Sequence, residues 1–218
     1  MGYGIKVAVW GDYALFTRPE MKVERVSYDV MTPSAARGII EAVYWKPAIK
    51  WVIDKIAVCE PIRFTNIRRN EVKEKITGSR VRTAMTNGEL PEPIVAAKAI
   101  QQRAAMVLKD VCYSIEAHFE LTGKAGETDT KEKHYNIALR RLQKGQCYHQ
   151  PCFGCREFPA KFALADALPH KAPIAESRDL GYMLYDMDFL DKEDIQPTFF
   201  RARLQNGVLD LTNCEVVR

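Results

Sequence analysis

The sequence predicts an α+β protein built on a βαββαβ order of strands and helices. Three observations support this fold class. Alternating or β-branched segments predict four strands, two segments with helix-start signals predict two helices, and these elements follow one another in that order along the first 158 residues. With 47% hydrophobic and 28% charged residues, the 218-residue chain has the composition of a globular protein that can bury a core.

The first half of this order is a strand, a helix and a second strand. Residues 5–10 alternate and are β-branched, which predicts a strand. Thr32 followed by Pro33 is typical of a helix start, and apolar residues then recur at helical spacing until Lys46. Residues 49–58 are apolar and rich in β-formers, so they predict the second strand.

Residues 63–103 predict a mobile basic arm or β-hairpin inserted between core strands. The segment holds two glycines and two prolines, and its first part, 63–82, carries seven basic residues against two acidic ones. A polyanion would therefore be attracted to this segment.

A strand, a helix and a strand complete the order. Residues 105–122 alternate over much of their length and predict a long third strand. Asp129 and Glu132 fit a capping box for the second helix, with Gly145 as its stop, and residues 148–158 predict the fourth strand. Two helices backing a four-stranded antiparallel sheet form the ferredoxin-like, or RNA-recognition-motif-like, arrangement.

The remaining residues, 159–218, predict a small C-terminal antiparallel sheet. Three strand-like segments occur there, and Asn206-Gly207 between the last two is a strong signal for a two-residue hairpin turn. The predicted organisation is thus a ferredoxin-like domain over residues 1–158, which carries the basic arm, followed by this sheet.

No apolar run reaches the roughly 18 residues that a membrane-spanning helix needs, and the N-terminus lacks the layout of a signal peptide. We therefore expect a cytoplasmic protein without membrane contact. The six cysteines should then be reduced thiols.

Lys133 and His134 lie in the first turns of the second predicted helix, where free N–H groups and the helix dipole favour an anion such as phosphate. Lysine adds a positive charge, and histidine is suited to proton transfer at neutral pH. A solvated helix start with an incidental histidine explains the same residues. Tyr44, at the end of the first helix, can approach the second helix, or it can be a core aromatic.

Two patterns would support metal chemistry instead. Four residues form a C-x-H-x2-C-x2-C pattern with zinc-ligand types, but it is compressed into nine residues and has no second distant pair: Cys147, His149, Cys152 and Cys155. The acidic run 186–194 is the only clustered-carboxylate candidate, and we interpret it as a solvated strand edge. The sequence therefore predicts neither a metal site nor a cofactor.

Six segments together resemble one known family, the CRISPR-associated proteins of Cas family five in subtype I-C (the Dvulg type). The segments span nearly the whole chain: GDYALFTRPE (11–20), SYDVMTPSAARGIIEAVYWKP (27–47), KHYNIALRRLQKGQC (133–147), GCREF (154–158), LGYMLYDMDF (180–189) and FFRARLQNGVLDL (199–211). The resemblance implies a ferredoxin-like domain with a C-terminal sheet. It also implies an endoribonuclease that cuts CRISPR repeat hairpins in precursor RNA and stays with the mature guide in the surveillance complex.

The family's catalytic tyrosine, lysine and histidine fall on Tyr44, Lys133 and His134. The implied reaction is attack by the RNA's own 2′-hydroxyl, without a metal, to leave a 2′,3′-cyclic phosphate. We expect the RNA backbone to be held by five arginines: Arg37, Arg68, Arg69, Arg140 and Arg141.

The partners implied by the resemblance are the repeat hairpin, the mature guide RNA and the backbone and large subunits of the type I-C complex. Two other functions stay open from the sequence. The first is a non-catalytic scaffold that only grips the 5′ handle of the guide, against which the Lys133-His134 pair argues. The second is an additional role in binding or cutting DNA.

Overall fold

A computed structural model describes residues 3–21, 23–167, 172–189, 191 and 193–218. The chain divides into two compact units. One holds the residues up to Thr65 together with Met106–Arg218, and the other is Asn66–Ala105.

The described part of the chain is mixed α and β, with three α-helices and one large antiparallel sheet. The helices are α1 (Pro33–Val43), α2 (Gly78–Asn87) and α3 (Lys131–Gln143). The strands are β1 (Gly4–Ala14), β2 (Arg25–Val26), β3 (Ile49–Val58), β4 (Phe64–Val72), β5 (Ile100–Leu121), β6 (Lys161–Leu164), β7 (Arg178–Asp188), β8 (Gln196–Gln205), β9 (Val208–Asp210) and β10 (Val216–Val217).

The strands pair in the order β10-β8-β9-β3-β5-β1-β6, and β7 pairs with β8. The β1–β5, β3–β5 and β1–β6 pairs are all antiparallel. The C-terminal strands do not form a sheet of their own, because β9 is hydrogen-bonded along β3, with Ile56 opposite Leu209. The predicted Asn206-Gly207 turn is present, with φ of 48° and 74° at its two residues.

Helix α1 begins as predicted, because the Thr32 hydroxyl accepts a hydrogen bond from the Ala35 N–H and Pro33 occupies the first turn. Helix α3 begins one residue later than the capping-box prediction. Its N-cap is Thr130, whose hydroxyl accepts from the Lys133 N–H. The predicted cap at Asp129 is therefore wrong.

The core beneath these helices is aromatic. Trp51 of β3 and Phe119 of β5 pack edge to face, with ring centroids 5.1 Å apart, and Phe119 in turn meets the His134 ring of α3 at 6.3 Å. Since all three side chains are buried, this face of the sheet holds α3 firmly in place.

The basic segment contains the predicted hairpin, because β4 pairs with β5, but the connection between these two strands includes helix α2, which was not predicted. Within the unit Asn66–Ala105, the Lys73 N–H donates to the Ala99 carbonyl. Thr77 caps α2, and Gly88 ends it in the left-handed region. Of the glycines and prolines that indicated a loop, Gly78 is the first residue of α2, Gly88 follows its last residue, and Pro91 and Pro93 come after it.

The predicted fourth strand at residues 148–158 is wrong. These residues form turns, and the strand that pairs with β1 comes later, at β6. The physical reason lies at Gly154, which has a φ of +83°. A Cβ placed there would lie 1.9 Å from the Leu15 carbonyl oxygen. The chain therefore turns at Gly154 where it meets Leu15, and Phe153 is buried.

Among the described residues, no helix has both the length and the apolar character needed to cross a membrane.

Candidate active site

Tyr44 is held in place by its backbone. It is the first residue after α1, in extended conformation, and its N–H donates to the Ile40 carbonyl. The Trp51 indole N–H donates to the Tyr44 carbonyl at 2.8 Å. Both backbone polar groups are therefore engaged, and the direction of the buried side chain is determined by the end of the helix.

His134 lies in the first turn of α3 and is buried, with 1% of its surface exposed. Its Nδ1 shares a hydrogen bond of 2.7 Å with the Tyr44 hydroxyl. The two residues are 90 positions apart in sequence, and the packing of α1 and α3 brings them together. This contact fixes the orientation of the imidazole ring.

The other ring nitrogen, Nε2, faces Asp129. The Asp129 Oδ1 atom lies 3.2 Å from Nε2. This approach is not aligned as a hydrogen bond, and Nε2 has no hydrogen-bond partner among the described residues. An imidazole nitrogen that is buried and unsatisfied is costly, so Nε2 is the ring nitrogen that a ligand would satisfy if it took the place of the Asp129 carboxylate.

Lys133 lies on the solvent-exposed side of Asp129 and His134. Its Nζ atom lies 3.2 Å from the same Asp129 Oδ1 and donates to the Thr128 carbonyl at 3.1 Å. The Gly126 N–H and the Lys133 ammonium both donate to the Asp129 carboxylate, which lowers the pKa of that carboxyl. Asp129 is therefore ionised at neutral pH, between a lysine and a histidine.

Burial raises the pKa of the Tyr44 hydroxyl, although the charge of Arg141 acts against this shift. Tyr44 is therefore a neutral hydroxyl at neutral pH, able to donate or accept. The Arg141 guanidinium lies over the tyrosine ring at 5.3 Å and donates to the Val43 carbonyl at 2.7 Å. Arg141 thus packs α3 against the end of α1.

Two of the arginines predicted to contact RNA differ in their surroundings, because one binds carboxylates of the protein and the other is exposed. Arg37 is half-buried and donates to both oxygens of Asp186 and to Glu41. Arg140 is exposed on α3.

Arg68 and Arg69 belong to the other unit. They are consecutive residues of β4, so their side chains point to opposite faces of the strand. Arg68 is exposed, whereas Arg69 is half-buried. The two arginines therefore cannot both contact an RNA that binds to one face of β4.

Two sequence patterns could support a metal site, the Cys/His pattern at 147–155 and the acidic run 186–194. Across residues 3–21, 23–167, 172–189, 191 and 193–218, no group of three His, Cys, Asp or Glu side chains is placed to hold a metal ion. In the acidic run, Asp186 pairs with Arg37 and Asp188 with Arg218, while positions 190 and 192 lie outside the described residues.

Sequence reasoning missed the position of Asp129 in this site. The residue was assigned to helix capping, and its carboxylate instead lies between Lys133 and His134. An acidic residue four positions before a lysine on a helix start was the available signal.

Comparison with known proteins identifies relatives over nearly the whole chain. The family model described as "CRISPR-associated protein (Cas_Cas5)", Cas5d, matches residues 4–212. A protein of Mannheimia succiniciproducens, named CRISPR pre-crRNA endoribonuclease Cas5d, is 56% identical over 97% of this chain and 96% of its own length. A Thermus thermophilus protein of the same name is 39% identical over 95% of this chain and 90% of its own length.

A solved structure described as a CRISPR-associated protein is similar in fold. It superposes with a TM-score of 0.70 at 22% identity, and the match covers 100% of this chain and 97% of that one. At this level of identity the likeness concerns the fold alone.

Proposed function

Because the chain belongs to the Cas5d family of CRISPR-associated proteins, we propose that it is an endoribonuclease that cuts CRISPR precursor RNA, the activity for which its curated relatives are named. The cut is made within the repeat hairpin, and it is catalysed by Tyr44, Lys133 and His134. The observation that carries the site assignment is the 2.7 Å hydrogen bond between Tyr44 and His134, next to Lys133 on the same helix start.

The reaction is a transesterification within the RNA. The 2′-hydroxyl beside the scissile phosphate loses its proton and attacks phosphorus, so that a new O2′–P bond forms. The P–O5′ bond breaks, and the leaving 5′ oxygen takes up a proton. The products are a 2′,3′-cyclic phosphate and a 5′-hydroxyl, and the step consumes neither water nor a metal-bound nucleophile.

Nε2 of His134 is the atom that exchanges a proton with the RNA, because Nδ1 is occupied by Tyr44. In the base form, Nδ1 carries hydrogen and donates to the tyrosine oxygen, which leaves a lone pair on Nε2. In the acid form, both nitrogens carry hydrogen, and the tyrosine oxygen again accepts from Nδ1. Tyr44 thus supports both forms and positions the imidazole from within the core.

Lys133 stabilises the negative charge that develops on the phosphorane. Its side chain is about half exposed, and it extends from the N-terminal turn of α3, where backbone N–H groups add a favourable field. A phosphate bound here is therefore in contact with Lys133 on one side and with His134 on the other.

RNA recognition extends beyond this site. Arg68, Arg69 and Arg140 hold the backbone of the hairpin, while Arg37 and Arg141 support the protein around the site as well as any RNA contact. After cleavage the protein retains the mature guide and assembles with other type I-C subunits in the cytoplasm.

The fold that carries the site is ferredoxin-like in this proposal. The strands β1, β3, β5 and β6 correspond to its four strands, with α1 and α3 as its two helices. The antiparallel order β3-β5-β1-β6 supports this assignment, because the four strands of a ferredoxin-like sheet lie side by side in the same order.

The test uses a repeat hairpin with a single 2′-deoxy substitution at the scissile position. Cleavage is expected to stop, while affinity changes little, because one hydroxyl contact contributes about 1 kcal/mol. The unmodified hairpin, incubated in chelator, is expected to be cut at full rate to products with a 5′-hydroxyl. Normal cleavage of the deoxy hairpin, or a 5′-phosphate on the product, would show that water is the nucleophile and would end the site assignment.

His134→Ala tests the protein side of the same step. Loss of a general acid or base costs about 100-fold to 10,000-fold in rate, with affinity for the hairpin retained. His149→Ala is the matched control, because this histidine is exposed and outside the site. If wild type and His134→Ala both fail to cut the hairpin but bind it equally well, the chain is a non-catalytic scaffold that binds the guide.

A further inference from the structure

A single oxygen of Asp129 lies between the two catalytic side chains. Oδ1 is 3.2 Å from Lys133 Nζ and 3.2 Å from His134 Nε2. The second oxygen, Oδ2, accepts from the Gly126 N–H at 3.0 Å. The carboxylate is therefore an anion in contact with the same two groups that would hold a phosphate oxygen.

In this arrangement His134 cannot reach an RNA. Both ring nitrogens face groups of the protein itself, and the side chain is 2% exposed. The Asp129 carboxylate also occupies the space beside Nε2 from which an RNA hydroxyl or phosphate would reach it. One of the two contacts must therefore open before His134 can act.

The two contacts differ in strength. The Nδ1 contact is short, buried and anchored on Tyr44, whose backbone groups are bonded on both sides. The Nε2 contact is longer and misaligned, and Asp129 lies at the end of an exposed loop, residues 122–130. The Asp129 side is thus the one that opens.

We propose that the position of Asp129 Oδ1 is the binding site for the scissile phosphate, and that RNA displaces Asp129 when it binds. This inference rests on the proposed function. The lowered pKa of the Asp129 carboxyl keeps it charged at neutral pH, so it competes with phosphate for Lys133 and His134. Helix α3 survives the displacement, because its N-cap is Thr130.

Asp129→Asn tests the inference, with Glu127→Gln as the matched control. Asparagine keeps the size of the side chain and an oxygen for the Gly126 N–H, but it removes the charge. Glu127 is an exposed acid of the same loop, so its variant changes net charge equally without touching the site. The probe is the 2′-deoxy hairpin, which reports affinity without cleavage.

Asp129→Asn is expected to bind the deoxy hairpin about twofold to fivefold more tightly than Glu127→Gln does, which is the range for an ion pair near the surface. Equal affinities for the two variants would overturn the inference. On the unmodified hairpin, a lower KM with unchanged kcat is expected. A fall in kcat at unchanged affinity would mean that Asp129 orients the imidazole, and it would equally overturn the inference.

The affinity comparison does not depend on cleavage. If the unmodified hairpin is not cut but Asp129→Asn still binds RNA more tightly than its control, the proposed cleavage activity is wrong. The binding of an RNA phosphate at the position of Asp129 Oδ1 is then still supported.

Discussion

At the scale of single residues, the Tyr44 hydroxyl decides how the imidazole of His134 is oriented. Tyr44→Phe keeps the ring and removes only this oxygen, which leaves Nδ1 unsatisfied in the core. A buried hydrogen bond of about 1–3 kcal/mol is lost, so hairpin cleavage is expected to slow by about tenfold to 100-fold with little change in affinity. Single-turnover kinetics and filter binding measure the two quantities.

Tyr148→Phe serves as the control for this change, because Tyr148 is 84% exposed and its hydroxyl lies outside the site. It should cut at the wild-type rate. A Tyr44→Phe protein that matches the control would remove Tyr44 from the proposed mechanism.

At the scale of elements, Arg37 connects α1 to β7, and α1 carries Tyr44 at its end. Its guanidinium donates to both oxygens of Asp186, and both side chains are about a quarter exposed. Arg37→Ala and Asp186→Ala are each expected to lower the free energy of unfolding by about 1–3 kcal/mol, and the double variant by less than their sum. Urea denaturation measures these values.

The exposed pair Arg201 and Asp179 is the reference for this double-variant comparison, and its coupling is expected to be weaker than that of Arg37 and Asp186. Strict additivity at Arg37 and Asp186 would contradict a structural link. In that case Arg37→Ala should instead weaken RNA binding, as the sequence alone predicts.

At the scale of the whole molecule, the distribution of charge matters more than the net charge of +4. Arg68 is exposed on β4, and Arg69 points to the opposite face of the strand. Arg68→Ala is expected to reduce the slope of log affinity against log salt by roughly one counterion, and Arg69→Ala by less. Arg203→Ala on β8 removes an exposed arginine of the other unit and should leave the slope unchanged.

Equal slopes for wild type and the Arg68→Ala, Arg69→Ala double variant would place the basic segment outside the RNA interface. Titration of the hairpin at several salt concentrations distinguishes these outcomes.

Local signals in the sequence predicted most elements and their type. The Thr32-Pro33 start of α1 and the Asn206-Gly207 hairpin are set by short-range hydrogen bonding and by φ, so they can be recognised without the rest of the chain. Helix α2 was missed because Ala84 is its one buried residue in the structure, so the sequence shows little hydrophobic periodicity there. The misplaced fourth strand depended on a distant contact at Leu15.

By itself the sequence determined the family, the order of the main elements and the candidate residues Tyr44, Lys133 and His134. Tertiary structure alone decided that Tyr44 meets Nδ1 of His134, and that Asp129 lies across Nε2 and Lys133. The physical reason is that a helix cap depends on neighbours three or four residues away, whereas a contact across 90 residues depends on how two helices pack on one sheet.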